Sequence, residues 1–226
     1  MISCHTKTLA NGLRLKAVRL PHLHSAEIAI YLKVGGRHDP PGKEGLSHFL
    51  EHMLFRGTAD YPTTLELETA FEALGGSVNA ATDADSTCFY TRIHPRHAVD
   101  GIDIFASMLL RPTLSGIDIE KRIITEEALE DSNENGEDIN TDNLASRLLW
   151  PDHPLGMPTV GTLESIAAFT DEDLRGHMNR FYVPANAVIT VVGDIEPDAV
   201  FSACDRSFGA WRSEEHTSEL QSRSDL

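Results

Sequence analysis

Cysteine is scarce in this sequence, and long apolar runs are absent from it. Its three cysteines, Cys4, Cys88 and Cys204, lie far apart and form no C-x-x-C pair. Their odd number and wide spacing argue against a disulfide framework or a cysteine-based zinc site and favour a reducing compartment. No run approaches the roughly 20 apolar residues of a membrane-spanning helix, and the N-terminus lacks the basic and apolar regions of a signal peptide. Unless a leader precedes this sequence, these absences predict a cytoplasmic protein with no membrane partner.

Positive charge is also in short supply. Lys and Arg number 19 against 35 Asp and Glu, so the formal net charge is -16. An acidic surface of this kind repels nucleic acids and anionic lipids, and we therefore predict no nucleic-acid partner. The glycine-rich motifs G-x-x-x-x-G-K-[ST] and G-x-G-x-x-G are missing, so nucleotide binding has no support either.

Strand and helix patterns alternate irregularly along the chain. The dipeptide Asn11-Gly12 joins two short runs and predicts a β-hairpin. Because there is no regular βαβ repetition, we predict an α+β fold, with helices covering one side of a mostly antiparallel sheet. Predicted strands cover 4–9, 13–20, 26–34, 77–81, 86–93 and 187–192; predicted helices begin at Leu46 and cover 64–74, 96–110, 117–131, 139–149, 171–182 and 197–207.

The composition changes abruptly after Trp211. Residues 212–226 read RSEEHTSELQSRSDL, a polar run typical of a disordered terminus. The peptide RSEEHTSELQS is also what translation of a widely used sequencing-library adapter produces. We therefore predict that residues 1–211 are the genuine α+β domain and that 212–226 are a disordered, non-native tail.

Residues 48–52 read HFLEH and place two imidazoles and a carboxylate within one helical turn. Positions four apart share a helix face, so His48 and His52 can point at one ion. Two neutral imidazoles suit Zn²⁺, and Glu51 lies close enough to accept a proton from a water on that ion. On these five residues alone, an ordinary helix with two half-exposed histidines explains the pattern equally well.

A catalytic zinc normally takes a third protein ligand, and the glutamate-rich segment 119–130 offers candidates. Glu120 and Glu127 are two helical turns apart and share a face. Ile123 and Ile124 lie between them, which predicts a buried face on which carboxylates need partners.

The segment RHDPPGKEGLSHFLEHMLFRGT, residues 37–58, resembles the signature of the M16 metallopeptidases, the pitrilysin and insulinase family. Residues 75–90, 120–127, 153–166 and 181–195 resemble later segments of the same family in the same order. The resemblance runs from about Asn11 to Trp211, and a second family segment can start near residue 168.

The resemblance implies a ligand set for one zinc ion. His48 and His52 match the two imidazole ligands, and Glu127 matches the distal glutamate. Glu126 stays open as an alternative to Glu127, because an alignment shift of one residue exchanges them. Glu120 matches a supporting acidic residue that orients the site.

The resemblance further implies a zinc-dependent endopeptidase that hydrolyses peptides or small unfolded proteins. Glu51 matches its general base, and Asn79 and Ala80 match a strand that pairs with extended substrate. Members of the family resemble a clam whose similar α+β domains enclose a chamber, and this chain corresponds to one half. We therefore predict a second M16 domain as partner and weak or no activity in the isolated chain. The alternative is a non-catalytic or metal-binding-only M16-like subunit.

Overall fold

The computed structural model describes residues 2–212, so nearly all of the predicted tail lies outside the described residues. Six strands form one sheet in the order β1-β2-β6-β3-β5-β4. The strands are β1 (Ser3–Thr8), β2 (Arg14–Arg19), β3 (Ala26–Leu32), β4 (Val78–Thr82), β5 (Thr87–Ile93) and β6 (Ala187–Gly193). The α-helices are α1 (Leu46–Leu54), α2 (Thr64–Glu72), α3 (Ala98–Leu110), α4 (Ile117–Glu130), α5 (Thr141–Leu149), α6 (Leu163–Ala168), α7 (Asp171–Phe181) and α8 (Pro197–Phe208).

The predicted α+β architecture is confirmed. Neighbouring strands are antiparallel except β2 and β6, which run parallel; β6 is the last strand in the sequence and lies between β2 and β3. One face of the sheet carries fully buried residues such as Ile28, Ile30 and Phe89, whereas Tyr31 and Tyr90 on the other face are exposed. The helices therefore pack on one side, as the alternating strand patterns predict.

Most element boundaries differ from the sequence predictions by one or two residues, and one helix is missing from those predictions. Helix α3 begins at Ala98, after a 3-10 turn at Pro95–His97. Helix α5 begins at Thr141 because the Asn140 side chain accepts hydrogen bonds from the N–H groups of Asp142 and Asn143 and so caps the helix. Helix α6 was not predicted; its six residues are too few to show a 3.6-residue period. Within residues 2–212, every helix is too short or too polar to cross a bilayer.

A buried polar cluster holds the N-terminus of α1. Gly45 precedes the helix in a left-handed conformation and has no side chain to cap it. Asp39 supplies the cap from outside the helix, since its carboxylate accepts the N–H of Gly45 at 2.8 Å and the N–H and hydroxyl of Ser47 at 3.0 and 2.6 Å. His177 of α7 lies 2.9 Å from the Ser47 hydroxyl. Because that hydroxyl donates to Asp39, His177 donates to it from Nε2. The cap anchors α1, the helix that carries the HFLEH residues. The apolar face of α1 is fully buried and consists of Leu46, Phe49, Leu50, Met53 and Leu54.

The cluster predicts a measurable pH dependence of stability. Burial raises the pKa of Asp39 from 3.8 to about 6 and lowers the pKa of His177 to about 4. The Asp39 contribution to stability is therefore complete below pH 3.8 and is lost as the pH rises through about 6. The His177 contribution is complete above pH 6.5 and is lost as the pH falls towards about 4. Between about pH 4 and about pH 6, the stabilisation from Asp39 falls as the pH rises, whereas the stabilisation from His177 increases.

Replacing Asp39 should reveal the pH dependence of its own contribution to stability. In Asp39→Asn, we expect the loss in the free energy of unfolding relative to wild type to be about 1–2 kcal/mol larger at about pH 4.5 than at about pH 6.5. Urea unfolding of both proteins without added metal measures this difference. A loss that is the same at both pH values would contradict the assignment of the proton to Asp39.

Candidate metal centre

Two histidines of α1 and a glutamate of α4 converge on one point. His48 and His52 are one turn apart, with their ring centroids separated by 4.6 Å. Nε2 of His48 lies 3.5 Å from one carboxylate oxygen of Glu127, and Nε2 of His52 lies 3.7 Å from the other. Two ligand atoms bonded to one zinc ion at about 2.0–2.1 Å in a tetrahedral site lie about 3.3–3.5 Å apart. The spacing in this cluster therefore fits a single ion of that size.

Glu120 orients the ring of His52. Its carboxylate lies 2.9 Å from Nδ1 of His52, and it is 3% exposed. Arg56 lies 3.6 Å from its second oxygen and balances its charge. Burial disfavours the charged form of His52, but the hydrogen bond and charge of Glu120, together with the charges of Glu127 and Glu51, outweigh burial and raise the pKa of His52. With its Nδ1–H donated to Glu120, neutral His52 carries its lone pair on Nε2, on the side where an ion shared with Glu127 would lie, which is the tautomer a metal ligand needs.

His48 is held in its neutral form. Burial, and then the neighbouring His52, lower the pKa of His48 to about 3. Its Nδ1 is buried and has no hydrogen-bond partner among the described residues. In the tautomer that carries its proton on Nδ1, neutral His48 has its lone pair on Nε2, the atom that faces Glu127, and can bind divalent metals of the zinc type. Two imidazoles and one carboxylate, with an open side at the 41%-exposed Glu127, form a donor set that fits Zn²⁺ with a position left for a further ligand.

Glu51 lies beside the cluster but outside it. Its side chain is 7% exposed, and the Thr82 hydroxyl donates to its Oε2 at 2.5 Å. Burial raises the pKa of Glu51, and the hydrogen bond from Thr82 acts in the opposite direction. Glu51 is thus a buried carboxyl group beside the histidine cluster, in surroundings that raise the pKa of a carboxyl group.

A pocket of about 270 Å³ opens next to Glu51 and His52. Its walls include Phe55, Asn79 and Ala80. Asn79 and Ala80 belong to β4, which is the last strand of the sheet and pairs with β5 on one side. An edge strand with a free side can accept an extended peptide as an additional strand.

The tertiary structure separates the two glutamates that the sequence left as alternatives. Glu127 joins the histidine cluster, whereas Glu126 is exposed and lies outside it. The predicted buried face of α4 is only partly correct: Ile124 is fully buried, but Ile123 is 45% exposed and lines the pocket.

Sequence reasoning missed the residues that support the site. Arg56 and Thr82 lie inside two of the segments that carry the family resemblance, yet their partners, Glu120 and Glu51, are distant in sequence. A period or a spacing could not have found these contacts, because they form only when β4 and α4 pack against α1.

This fold and this cluster define a class: α+β metallopeptidase domains that carry the inverted motif H-x-x-E-H on a helix. Comparison with known families identifies the particular one. The family described as Insulinase (Peptidase family M16) matches residues 17–163, and the associated Peptidase M16 inactive domain matches residues 168–224. The chain belongs to the M16 peptidase family.

Several proteins similar to this chain come from bacteria. It is 32% identical over 216 residues to a Bacillus subtilis protein described as uncharacterized zinc protease YmxG, covering 95% of this chain and 52% of that protein. A crystal structure of a protease from Helicobacter pylori superimposes with a TM-score of 0.87 at 25% identity, covering 94% of this chain and 51% of the other. Pitrilysin shares the fold, with a TM-score of 0.81 at 21% identity over 95% of this chain and 23% of pitrilysin. The chain thus spans about half the length of the curated relatives it matches.

Proposed function

We propose that this chain is the zinc-binding half of a zinc-dependent endopeptidase that cleaves peptides or small unfolded proteins. The observation that carries the proposal is the convergence of His48, His52 and Glu127 at the spacing of zinc ligands, with Glu51 beside them. In this proposal the three clustered residues hold the ion, and Glu120 orients His52.

When bound, zinc acts as a Lewis acid that lowers the pKa of a water and polarises the peptide carbonyl. Glu51 accepts a proton from the attacking water and returns it to the leaving amine, so it acts first as a base and then as an acid. Its burial favours this exchange because burial raises the pKa of the Glu51 carboxyl group and so strengthens it as a base.

The substrate is proposed to lie along β4. Asn79 and Ala80 offer backbone groups at the free edge of the sheet, which bind an extended peptide with little dependence on its sequence. The adjoining pocket takes a side chain of that peptide. A second M16 domain, on the same polypeptide or a partner subunit, is proposed to close over this edge, since the chain spans about half of its relatives. The isolated chain should then be weak or inactive.

Two measurements test the proposal: the zinc content of the purified chain, and cleavage of a quenched fluorescent peptide by the intact gene product. We expect one zinc per chain, and cleavage that is lost on chelation and restored by one equivalent of zinc. Zinc without cleavage would support a metal-binding-only subunit instead. Neither zinc nor cleavage would support a non-catalytic scaffold.

The role of Glu120 can be tested separately. Glu120→Gln keeps the shape of the side chain but removes the charge that faces His52 and Arg56. We expect about a 10-fold weaker zinc affinity, as for other groups that orient a metal-bound histidine. Competition with a chromophoric chelator measures the affinity. An unchanged affinity would contradict an orienting role for Glu120.

A further inference from the structure

We propose that Thr82 is a positioning residue for Glu51. Its hydroxyl holds one oxygen of the Glu51 carboxylate and leaves the other free to take the proton of the attacking water. The inference rests on the proposed role of Glu51 as the general base and adds to it a residue that neither the sequence motif nor the ligand cluster contains.

The hydrogen bonds around Thr82 can be assigned proton by proton. The Thr82 hydroxyl lies 2.5 Å from Glu51 Oε2 and 3.3 Å from the hydroxyl oxygen of Thr87. The Thr87 hydroxyl donates its own proton to the carbonyl of Val34 at 2.9 Å. The Thr87 oxygen therefore faces Thr82 with lone pairs only, and Thr82 has an acceptor on each side.

This arrangement suits both states of a group that gains and loses a proton. While Glu51 is a carboxylate, Thr82 donates to it, and a bond to an ionised acceptor is short and strong. Once Oε1 of Glu51 carries the proton, Oε2 becomes the carbonyl oxygen of the acid and still accepts the hydrogen bond from Thr82. Glu51 stays anchored through its Oε2 in both states, so its Oε1 keeps its direction throughout the reaction.

The fold gives Thr82 this position through the same strand that is proposed to bind substrate. Thr82 is the last residue of β4 and pairs directly with Thr87 of β5. Asn79 and Ala80 precede it on β4. A peptide that adds to the edge of β4 therefore rests on the strand that also fixes the base, so substrate and base share one rigid support.

The experiment compares Thr82→Val, which removes the hydroxyl and keeps the branched shape, with Thr82→Ser, which keeps the hydroxyl. Thr190→Val is the matched control, because Thr190 is a half-buried strand threonine whose hydroxyl donates to a backbone carbonyl in β3. In the intact gene product, we expect Thr82→Val to lower kcat by about 10- to 100-fold with KM and zinc content near wild type. Thr82→Ser should recover most of kcat, and Thr190→Val should keep it.

A second readout does not depend on turnover. In the chain labelled with ¹³C at glutamate carboxyl carbons, the Glu51 resonance is identified by its loss in Glu51→Gln. At a fixed pH, Thr82→Val should shift this resonance, and Thr190→Val should leave it in place.

The outcomes separate this inference from the proposed function. If wild type binds zinc but cleaves nothing, the proposed function fails, and the carboxyl resonance still decides whether Thr82 holds Glu51. If wild type cleaves peptide and Thr82→Val does so equally well, the positioning role is wrong. Equal losses in Thr82→Val and Thr82→Ser would also overturn it, because the hydroxyl would then be irrelevant.

Discussion

Replacing Glu51 by Gln should abolish peptide cleavage and leave zinc in place. Glutamine cannot accept the proton of the attacking water, and loss of a general base of this kind lowers kcat by about 10²- to 10⁴-fold. The carbonyl oxygen of glutamine can still accept the hydrogen bond from Thr82. Because Glu51 lies outside the cluster of His48, His52 and Glu127, the metal site should be unaffected.

The measurement pairs zinc content with turnover of a quenched peptide by the intact gene product. Glu130→Gln is a suitable control, since it makes the same chemical change at an exposed position of α4. Near-normal turnover in Glu51→Gln would remove Glu51 from the mechanism. Loss of zinc in this variant would mean that it binds the ion rather than acting as the base.

Two adjacent glutamates should respond very differently to the same substitution. Glu127→Gln removes a charged oxygen ligand from the cluster, and we expect zinc affinity to fall by at least about 100-fold, because the binding free energy is shared among few ligands. Glu126→Gln should bind zinc as wild type does, since Glu126 is exposed and outside the cluster.

Chelator competition on the three purified chains measures this difference without any need for activity. The two variants have the same net charge. A general electrostatic effect of the lost negative charge would therefore weaken zinc binding equally in both. Weak binding in Glu126→Gln with normal binding in Glu127→Gln would reverse the assignment. Normal binding in both would show that the third ligand is another residue.

A contact of the candidate site can be predicted from the sequence when the two interacting residues lie on the same helix or strand. The helix over His48 and His52 follows from the apolar period beneath it, and a spacing of four residues puts both rings on one face. The choice between Glu126 and Glu127 could not be made in this way. Which glutamate faces the histidines depends on how α4 is rotated about its axis relative to α1. Tertiary packing sets this rotation, and no local sequence pattern indicates it.

The sequence by itself determined the α+β class, the helix that carries HFLEH and the family to which the chain belongs. These features are local or repeated: apolar periods, turn residues and ordered motifs. Only the tertiary structure decided that Glu127 faces the histidines, that Asp39 and His177 anchor α1, and that Thr82 holds Glu51. Each of these contacts joins elements that are far apart in the chain. The side chains meet because the helices bury their apolar faces against the sheet, and no local sequence pattern records which residues this packing brings together.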